Sequence, residues 1–499
     1  MDYVLGIDLG TSSLKGVLVT KSGMVAAQKS CEYPLYAPKS GYKEQNPDDW
    51  IKAAEQVILE LLSDVPDMKE GLAGISFSGQ MHTLVLLDHH QKPLRPAILW
   101  NDVRTSKECN EIMAKSKKVM LGKAKNRALE GFTFPKLLWV KRNEPEIWEK
   151  AECFLMPKDY LRYYLTGKLC MEYSDAAGTV LLDIEKKEWL YDVIDDYGLN
   201  RDLFPQLTAS TDMTGLLRYD LKKKFGFKQD VKVFAGGADN ACAALGAGII
   251  KPGSALCSIG TSGVFLSYEK AGDKDFQGKV HYFNHCKPDS CYAMGVTLAA
   301  GHSLSWFKDT FNSEMSYDNL LSKVDDIPPG SGGLLFTPYI VGERTPYADG
   351  NIRGSFIGID ASHTIDHFAK AVIEGITFSL KDSQDIMEET TGNKFDKIIS
   401  VGGGAKNKAW LQMQADIFNA KIVTLESEQG PAMGAVMIAA YGCGWFETLE
   451  ECCDAFVSYK DEYVPRTDYV EKYQKIYQIY QKVYGSTKEI SNHLLSVRV

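Results

Sequence analysis

Two stretches half a chain apart carry the same short pattern, an apolar strand followed by a Gly-Thr-Ser turn and a second apolar strand. The first stretch is residues 4–19, with its turn at residues 10–12, and the second is residues 254–267, with its turn at residues 260–262. A pattern repeated in this way predicts two structurally similar halves. For either stretch alone, an ordinary β-hairpin without a ligand remains the alternative.

The turns have the composition of a phosphate-binding surface. Glycine lets the backbone approach a ligand closely, and the N–H groups of the turn form a concave set of donors together with the Thr and Ser hydroxyls. We predict phosphate contacts from both turns, at Thr11, Ser12, Lys15, Gly260, Thr261 and Ser262. Asp8 of the first copy aligns with Ser258 of the second, so only the first turn offers a carboxylate, and we interpret Asp8 as the group near Mg²⁺.

Composition argues against several classes of protein. The chain has 499 residues, of which 44% are apolar and 24% charged, and this length suits two or more domains. A net charge of −9 argues against a nucleic-acid surface, and we find no signal peptide or membrane-spanning run, so we expect a cytoplasmic protein. The eleven cysteines are scattered in apolar contexts, which indicates buried reduced thiols rather than a disulfide framework or a structural metal site.

Polar residues follow two predicted strands in the first half of the chain. Ligands in open α/β sheets bind beyond the carboxyl ends of strands. One buried strand, residues 72–78, runs into a Gln-Met-His sequence, and a later apolar run ends in Trp-Asn-Asp, a combination typical of sugar sites. The predicted sugar-binding residues at these two ends are Gln80, Met81, His82, Trp100, Asn101 and Asp102. A structural role for the histidine, and plain turn chemistry for the Asn-Asp pair, are the alternatives.

A third strand end combines a carboxylate with glycines. Residues 231–235 form a clear strand, a Gly-Gly-Ala turn follows, and Asp239 and Asn240 open a helix of small residues. A carboxylate here suits a general base, because the glycines admit close approach of a substrate. We expect the helix N-terminus to keep Asp239 ionised at neutral pH. The alternative is that Asp239 only caps the helix.

The second half contains a Gly-rich turn of a different kind. Residues 397–401 form a strand that runs into three glycines, and a helix follows at residues 408–418. This turn offers a surface flat enough for a nucleoside, although a Gly-rich turn alone is often only a tight connection. The chain has no Gly-x-x-x-x-Gly-Lys-Ser/Thr sequence, so a bound nucleotide would not use a P-loop.

Together these features resemble the superfamily of sugar kinases, actin and Hsp70, in which two ribonuclease H-like α/β domains flank a cleft for nucleotide and sugar. Residues 131–143 are similar to the first signature of the FGGY carbohydrate kinases, and residues 354–374 are similar to the second. The resemblance runs from residue 3 to about residue 445 and includes residues 157–162, 174–179 and 342–346.

The resemblance implies an ATP-dependent kinase with an N-terminal domain at residues 1–248 and a C-terminal domain at residues 249–499. The favoured reaction is the Mg²⁺-dependent phosphorylation of D-xylulose to D-xylulose 5-phosphate. Ribulose, glycerol or another polyol is the alternative substrate, and a non-catalytic, actin-like nucleotide switch is the alternative of a different class. A homodimer is left open, and neither nucleic acid nor a membrane is expected as a partner.

The resemblance also implies roles for single residues. Asp239 would take the proton from the attacking hydroxyl, and Asp8 would lie near Mg²⁺. The residues implied at the sugar are Met81, His82, Asp239 and Asn240, and those implied at adenosine are Gly403, Gly404 and Asn407. For Glu343 and Arg344 there are two alternatives: the pair lines the cleft, or it forms a structural ion pair.

Overall fold

The two repeated hairpins lie in two separate seven-stranded sheets in the computed structural model, which describes residues 1–270 and 272–497. The expected second domain ends at residue 499, and Arg498 and Val499, like Ala271, lie outside the described residues. The strands are β1 (Tyr3–Leu9), β2 (Ser13–Thr20), β3 (Val25–Glu32), β4 (Glu44–Gln45), β5 (Leu72–Gly79), β6 (Val85–Leu87), β7 (Ala97–Ile98), β8 (Cys153–Leu155), β9 (Met171–Glu172), β10 (Leu182–Asp183), β11 (Glu188–Trp189), β12 (Leu207–Thr208), β13 (Met213–Leu216), β14 (Lys232–Phe234), β15 (Gly237–Ala238), β16 (Ser254–Ile259), β17 (Gly263–Lys270), β18 (His281–Asn284), β19 (Ser290–Thr297), β20 (Leu335–Thr337), β21 (Ser355–Ile357), β22 (Lys397–Gly402), β23 (Lys421–Leu425) and β24 (Tyr459–Tyr463). The helices are α1 (Pro47–Asp64), α2 (Met68–Gly71), α3 (Ser106–Gly122), α4 (Thr133–Asn143), α5 (Pro145–Trp148), α6 (Pro157–Thr166), α7 (Tyr173–Gly178), α8 (Tyr191–Asp196), α9 (Tyr219–Phe225), α10 (Asp239–Gly246), α11 (Gly301–Phe311), α12 (Tyr317–Leu320), α13 (Ile365–Thr391), α14 (Lys408–Phe418), α15 (Pro431–Gly442), α16 (Leu449–Phe456) and α17 (Thr467–Ser496).

The two sheets share the arrangement around their hairpins. In the first, the order is β13-β14-β5-β1-β2-β3 with β15 paired to β5, and β1 is antiparallel to β2 and parallel to β5. In the second, the order is β18-β19-β17-β16-β22-β23-β24, and β16 is antiparallel to β17 and parallel to β22. In both sheets the first strand of the hairpin therefore lies between its antiparallel partner and a parallel strand. This repetition confirms the expected two-domain α/β fold class.

Local capping explains where two of the helices begin. The Asn46 side chain accepts a hydrogen bond from the Asp48 N–H at 3.1 Å, and Pro47 occupies the first position of α1. The Asn407 side chain accepts from the Trp410 N–H at 2.9 Å and so caps α14. Side-chain oxygens that satisfy free N–H groups in the first turn stabilise helix starts, and proline at the first position loses no hydrogen bond.

Helix α15, from the second half of the chain, packs on α10 and on strands β1 and β5 of the first sheet. Glycines permit this contact: a Cβ added to Gly434 would lie 2.1 Å from the Cys242 carbonyl oxygen, and one added to Gly6 would lie 2.4 Å from that of Ala432. Since α10 begins at Asp239, this packing holds Asp239 near the ends of β1 and β5.

The C-terminal helix α17 covers the second half of the molecule through buried tyrosines. The Tyr473 hydroxyl donates to Glu374 at 2.9 Å, and the Tyr477 hydroxyl donates to Asp382 at 2.6 Å. Both carboxylates lie on α13, so these bonds attach α17 to the long helix beneath it. Among the described residues, no helix is long and apolar enough to cross a bilayer.

Candidate active site

Side chains from neighbouring elements hold the first Gly-Thr-Ser turn. The Gln45 amide donates to the Thr11 carbonyl at 2.6 Å, and the Trp100 indole N–H donates to the Thr11 hydroxyl at 2.9 Å. The Tyr33 hydroxyl donates to the Gly10 carbonyl. These bonds fix the turn before any ligand binds, and Trp100 therefore lies at this turn.

Asp8 is the penultimate residue of strand β1, close to the turn. It lies opposite Lys15 on β2 and opposite Ser78 on β5. Burial raises the pKa of Asp8 to about 6, although the Ser78 hydroxyl and the Lys15 ammonium act in the opposite direction. The Oδ1 atom of Asp8 is buried and has no hydrogen-bond partner within the described chain. A carboxylate oxygen that the protein leaves unused fits the ligand chemistry of Mg²⁺.

Metal binding at Asp8 would draw on few protein ligands. The described residues contain no cluster of three or more His, Cys, Asp or Glu side chains arranged to hold a metal ion. Mg²⁺ characteristically uses one or two carboxylates and completes its shell with water and substrate phosphates. The single carboxylate of Asp8 therefore fits a cation that arrives with a nucleotide.

Asp239 is the first residue of α10, and Ala238 before it is the N-cap. Its Oδ1 accepts hydrogen bonds from the Asn240 N–H at 2.7 Å and from the Asn240 side-chain amide at 2.9 Å. Strand β15 pairs with β5 at Ser78 and Gly79, which brings Asp239 to the same sheet edge as Asp8. Asp239 is half-buried, and no side chain caps the N-terminus of α10.

The charge state of Asp239 differs from the expectation that it remains fully ionised at neutral pH. Burial and the nearby Asp8 carboxylate raise the pKa of Asp239 to about 7, and the Asn240 hydrogen bonds only partly oppose them. A helix terminus stabilises a carboxylate by about 1 kcal/mol or less when exposed, so burial and a second negative charge outweigh it. Asp239 therefore titrates in the neutral range.

His82 lies across the cleft in an aromatic setting. Its Nδ1 is 2.7 Å from the Gly178 carbonyl oxygen, and its ring packs against Phe132 and Phe283 at centroid distances of 4.4 and 5.8 Å. Burial lowers the pKa of His82 well below its ordinary value, so the ring is neutral. Because a carbonyl can only accept, Nδ1 carries the proton and Nε2 is a hydrogen-bond acceptor.

Met81 links this side to Asp239. Its sulfur lies 3.8 Å from the Asn240 side-chain nitrogen and 3.5 Å from the Tyr292 hydroxyl. The structure thus brings four of the predicted sugar residues together, namely Met81, His82, Asp239 and Asn240. Tyr292, on β19 of the second half, completes this group, and nothing in its local sequence signals that position.

Gln80 and Asp102 are buried and bonded to other groups of the protein, and a sugar contact at either residue stays a prediction. Gln80 is 1% exposed, and its amide bonds Gln45 and Thr83, each at 3.1 Å. Asp102 is 0% exposed, and its carboxylate accepts from the Arg104 side chain at 2.8 and 2.7 Å.

Asn101 differs from these two residues. It is half-buried, and its Oδ1 atom has no hydrogen-bond partner within the described chain. An unused amide oxygen next to Trp100 remains available to a hydroxylated ligand.

The second Gly-Thr-Ser turn borders a cavity of about 640 Å³. The predicted nucleotide residues that line it are Gly260, Thr261, Gly403, Gly404 and Asn407. The lining residues that the sequence did not indicate include His302, Ser305, Tyr317, Asp318 and Trp410. Ser262 is exposed in the same turn but does not line the cavity. The volume and the flat Gly-rich wall suit a nucleoside.

Lys15 connects the two halves. Its ammonium donates to the Gln429 side-chain oxygen at 2.8 Å, and Gln429 belongs to the loop before α15. Burial lowers the pKa of Lys15, while the charges of Asp8 and Glu428 act to raise it. Lys15 thus joins β2 of the first sheet to the loop before α15, and a phosphate contact at Lys15 stays a prediction.

Glu343 and Arg344, for which the sequence allowed two roles, have different side-chain environments. Glu343 is 1% exposed and accepts from the Leu298 N–H at 3.0 Å and the Ser379 hydroxyl at 3.1 Å. In the described ranges no salt bridge joins Glu343 to Arg344. The Glu343 carboxylate instead holds its loop through the hydrogen bonds from Leu298 and Ser379. Burial lowers the pKa of Arg344, and its positive charge contributes to the lowered pKa of His82.

Comparisons with known proteins bear on this site. The FGGY family of carbohydrate kinases matches the chain twice, with its N-terminal domain at residues 3–246 and its C-terminal domain at residues 255–443. A xylulose kinase of Lactococcus lactis is 55% identical over 496 residues, or 99% of either chain, and one of Bacillus subtilis is 52% identical over 498 residues, or 100% of either chain. The structure of a ligand-bound xylulose kinase from Lactobacillus acidophilus superposes with a TM-score of 0.93 at 28% identity, covering 98% of this chain and 99% of that one.

Proposed function

The chain belongs to the FGGY family of carbohydrate kinases, and from this premise we propose that it transfers the γ-phosphate of ATP to D-xylulose, forming D-xylulose 5-phosphate. The main support for this substrate is the full-length similarity to two proteins named xylulose kinase, at 55% and 52% identity. The grouping of Met81, His82, Asp239 and Asn240 supports it, since these are the residues expected at the sugar.

Asp239 is the proposed general base. Phosphoryl transfer passes through a loose transition state, so the protein mainly positions the reactants and accepts the hydroxyl proton. A base works best when its pKa lies near the operating pH, and a pKa of about 7 for Asp239 meets that condition. Asn240 donates to Oδ1 at 2.7 and 2.9 Å and fixes the carboxylate, which leaves Oδ2 to receive the proton.

The sugar is proposed to lie between His82 and Asp239. The Nε2 atom of the neutral His82 accepts a hydrogen bond from a substrate hydroxyl, and the Asn101 oxygen is available to another. Met81 supplies a polarizable apolar wall. Acceptors at fixed positions discriminate between epimers, because a misplaced hydroxyl leaves a polar group of the site without a partner.

ATP is proposed to span both halves, with its phosphates between Thr11, Ser12 and Lys15 on one side and Gly260, Thr261 and Ser262 on the other. Adenosine occupies the cavity beside Gly403, Gly404 and Asn407. Mg²⁺ bound with ATP would neutralise phosphate charge, and Asp8 is the residue that would hold it. We place the domain boundary between residues 248 and 249. All eleven cysteines are free thiols, which agrees with a cytoplasmic location.

A coupled assay of ADP release across a panel of D-xylulose, D-ribulose and glycerol tests the proposal. We expect D-xylulose to give the highest kcat/KM, because the site accepts hydrogen bonds at fixed positions. A preference of about tenfold or more for D-ribulose or glycerol would refute D-xylulose as the preferred substrate, while the assignment as a carbohydrate kinase would stand. An ATPase rate that no sugar alters would instead favour a nucleotide switch.

A further inference from the structure

Two sequence motifs that the proposed reaction does not use, residues 157–162 and 174–179, meet in a buried cluster of charges below the active site. The Lys158 ammonium lies 2.9 Å from Asp159, 3.2 Å from Glu172 and 3.0 Å from Asp175, and all four side chains are 0% exposed. A Cβ added to Gly79, at the end of β5, would lie 2.9 Å from the Lys158 Cβ. The cluster therefore sits directly against the sheet edge that carries the site.

A chain of hydrogen bonds leads from this cluster to Asp239. The Ser174 hydroxyl donates to the Glu172 carboxylate, with its oxygen 2.7 Å from Oε1 and 2.8 Å from Oε2. The same hydroxyl oxygen accepts from the Ala238 N–H at 2.9 Å. Because the serine proton goes to the carboxylate, the lone pairs of the oxygen are left for the Ala238 N–H. Ala238 immediately precedes Asp239.

Glu172 is a rigid anchor for this chain. It also accepts from the backbone N–H groups of Ser174 and Asp175, each at 2.8 Å, and from the Ser210 hydroxyl at 2.9 Å. Burial raises the pKa of Glu172, but the Lys158 ammonium and these hydrogen bonds outweigh it and hold the pKa below its ordinary value. A buried charge with this many partners has a single orientation.

We propose that Ser174, held by Glu172, is a positioning residue that fixes the Gly237–Ala238 peptide, directly before Asp239, and with it the direction of the Asp239 carboxylate. This inference rests on the proposed role of Asp239 as base. The packing of α15 on α10 and the pairing of two β15 residues with β5 locate the start of α10, and the Ser174 bond adds a restraint on the orientation of the peptide there. A displacement of about 1 Å at a reacting group can cost about 10²-fold in rate, so a loss here appears in kcat.

Ser210 provides a matched control. Its hydroxyl donates to the same Glu172 carboxylate, yet it makes no bond to Ala238. Ser174→Ala and Ser210→Ala each remove one buried hydroxyl donor to Glu172, and only Ser174→Ala frees the Ala238 N–H. A role in stability alone would lower both melting temperatures and leave both kcat values alike.

The test compares steady-state kinetics and thermal melting of the two variants with wild type. We expect Ser174→Ala to lower kcat by about 10- to 100-fold, with KM for ATP and for D-xylulose changed less than about threefold. Ser210→Ala keeps kcat within about twofold of wild type. Equal kcat values for the two variants would overturn the proposal.

Two further variants keep the outcome decisive. If Ser174→Ala does not fold, Ser174→Cys retains the side-chain shape but is a weak acceptor, and it should lose several-fold in kcat; a wild-type kcat would overturn the proposal. A near-normal kcat for Asp239→Asn would refute both the role of Asp239 as general base and the positioning role of Ser174. Inactive Asp239→Asn with normal Ser174→Ala would refute the inference alone.

Discussion

The two Gly-Thr-Ser turns have the same place in their sheets but different supports. Side chains of Tyr33, Gln45 and Trp100 hold the first turn. In the described part of the chain, no side-chain hydrogen bond reaches residues 260–262, and the second turn relies on backbone bonds such as the Gly301 N–H to the Gly260 carbonyl at 2.8 Å.

The difference extends to charge and exposure. Asp8 lies next to the end of the strand before the first turn, whereas Ser258 occupies the matching position before the second. Residues 260–262 are all exposed, and Gly260 and Thr261 line the nucleoside-sized cavity, while in the first turn Gly10 and Thr11 are half-buried and only Ser12 is exposed. In the proposed function, the shared backbone provides phosphate donors in both halves, and only the first half has a carboxylate at this position for proton and metal chemistry. The first turn, held by side chains, suits the phosphate that reacts. The second turn, which is exposed, suits a nucleotide that must enter and leave the site.

The largest expected effect comes from removing the proposed base of the first half. Asp239→Asn keeps the shape but cannot take a proton, so kcat should fall by about 10²- to 10⁴-fold, or about 3 to 5 kcal/mol of barrier. KM for ATP should change little, and added Mg²⁺ should not restore the rate. Steady-state kinetics across a Mg²⁺ titration measure both. A kcat within about tenfold of wild type would show that another group is the base.

The second prediction tests the asymmetry between Asp8 and Ser258. Asp8→Asn should lower activity at least about tenfold at low Mg²⁺, and excess Mg²⁺ should recover part of it, because an amide is a poorer ligand than a carboxylate. Ser258→Ala, at the matched position, should stay within about threefold at every Mg²⁺ concentration. Equal losses in the two variants would mean that both turns take part in metal binding and that the asymmetry is wrong.

The third prediction concerns pH. Asp239 acts when ionised, and its pKa is raised to about 7, so kcat/KM should fall as the pH drops through 7 and be about tenfold below its plateau at pH 6. Since the Asp8 carboxylate contributes to this raised pKa, Asp8→Asn should move the acid limb to lower pH, and Ser258→Ala should not. A wild-type profile that stays flat down to pH 5 would contradict the assignment.

The parts of the fold that the sequence predicted are those specified by local signals. The Gly-Thr-Ser hairpins and the strand, glycine turn and helix of residues 397–418 each depend on neighbours in the chain. Propensity, capping and turn chemistry act over a few residues, so these elements appear in the structure close to their predicted bounds.

The parts of the site that the sequence does not reveal depend on contacts between distant segments. The Gln80 side chain bonds Gln45 at 3.1 Å, and the Asp102 carboxylate accepts from the Lys43 N–H at 2.6 Å. The pKa of Asp239 depends on Asp8 from the other end of the half, and no local pattern reveals their approach. His302 likewise lines the nucleotide cavity from a helix without a motif.

The smallest expected effect tests the clamp on the first turn itself. Trp100→Phe keeps an aromatic ring but removes the indole N–H that donates to the Thr11 hydroxyl at 2.9 Å. A neutral hydrogen bond contributes about 0.5–1.5 kcal/mol, which corresponds to a rise in KM for ATP of about two- to tenfold. The control is Trp189→Phe, which loses an indole bond to the Pro205 carbonyl at 2.9 Å in a different part of the first half. It should lower the melting temperature and leave KM unchanged. A similar rise in both variants would point to general loosening of the half, and an unchanged KM in Trp100→Phe would show that the first turn holds its shape by its backbone alone, as the second turn does.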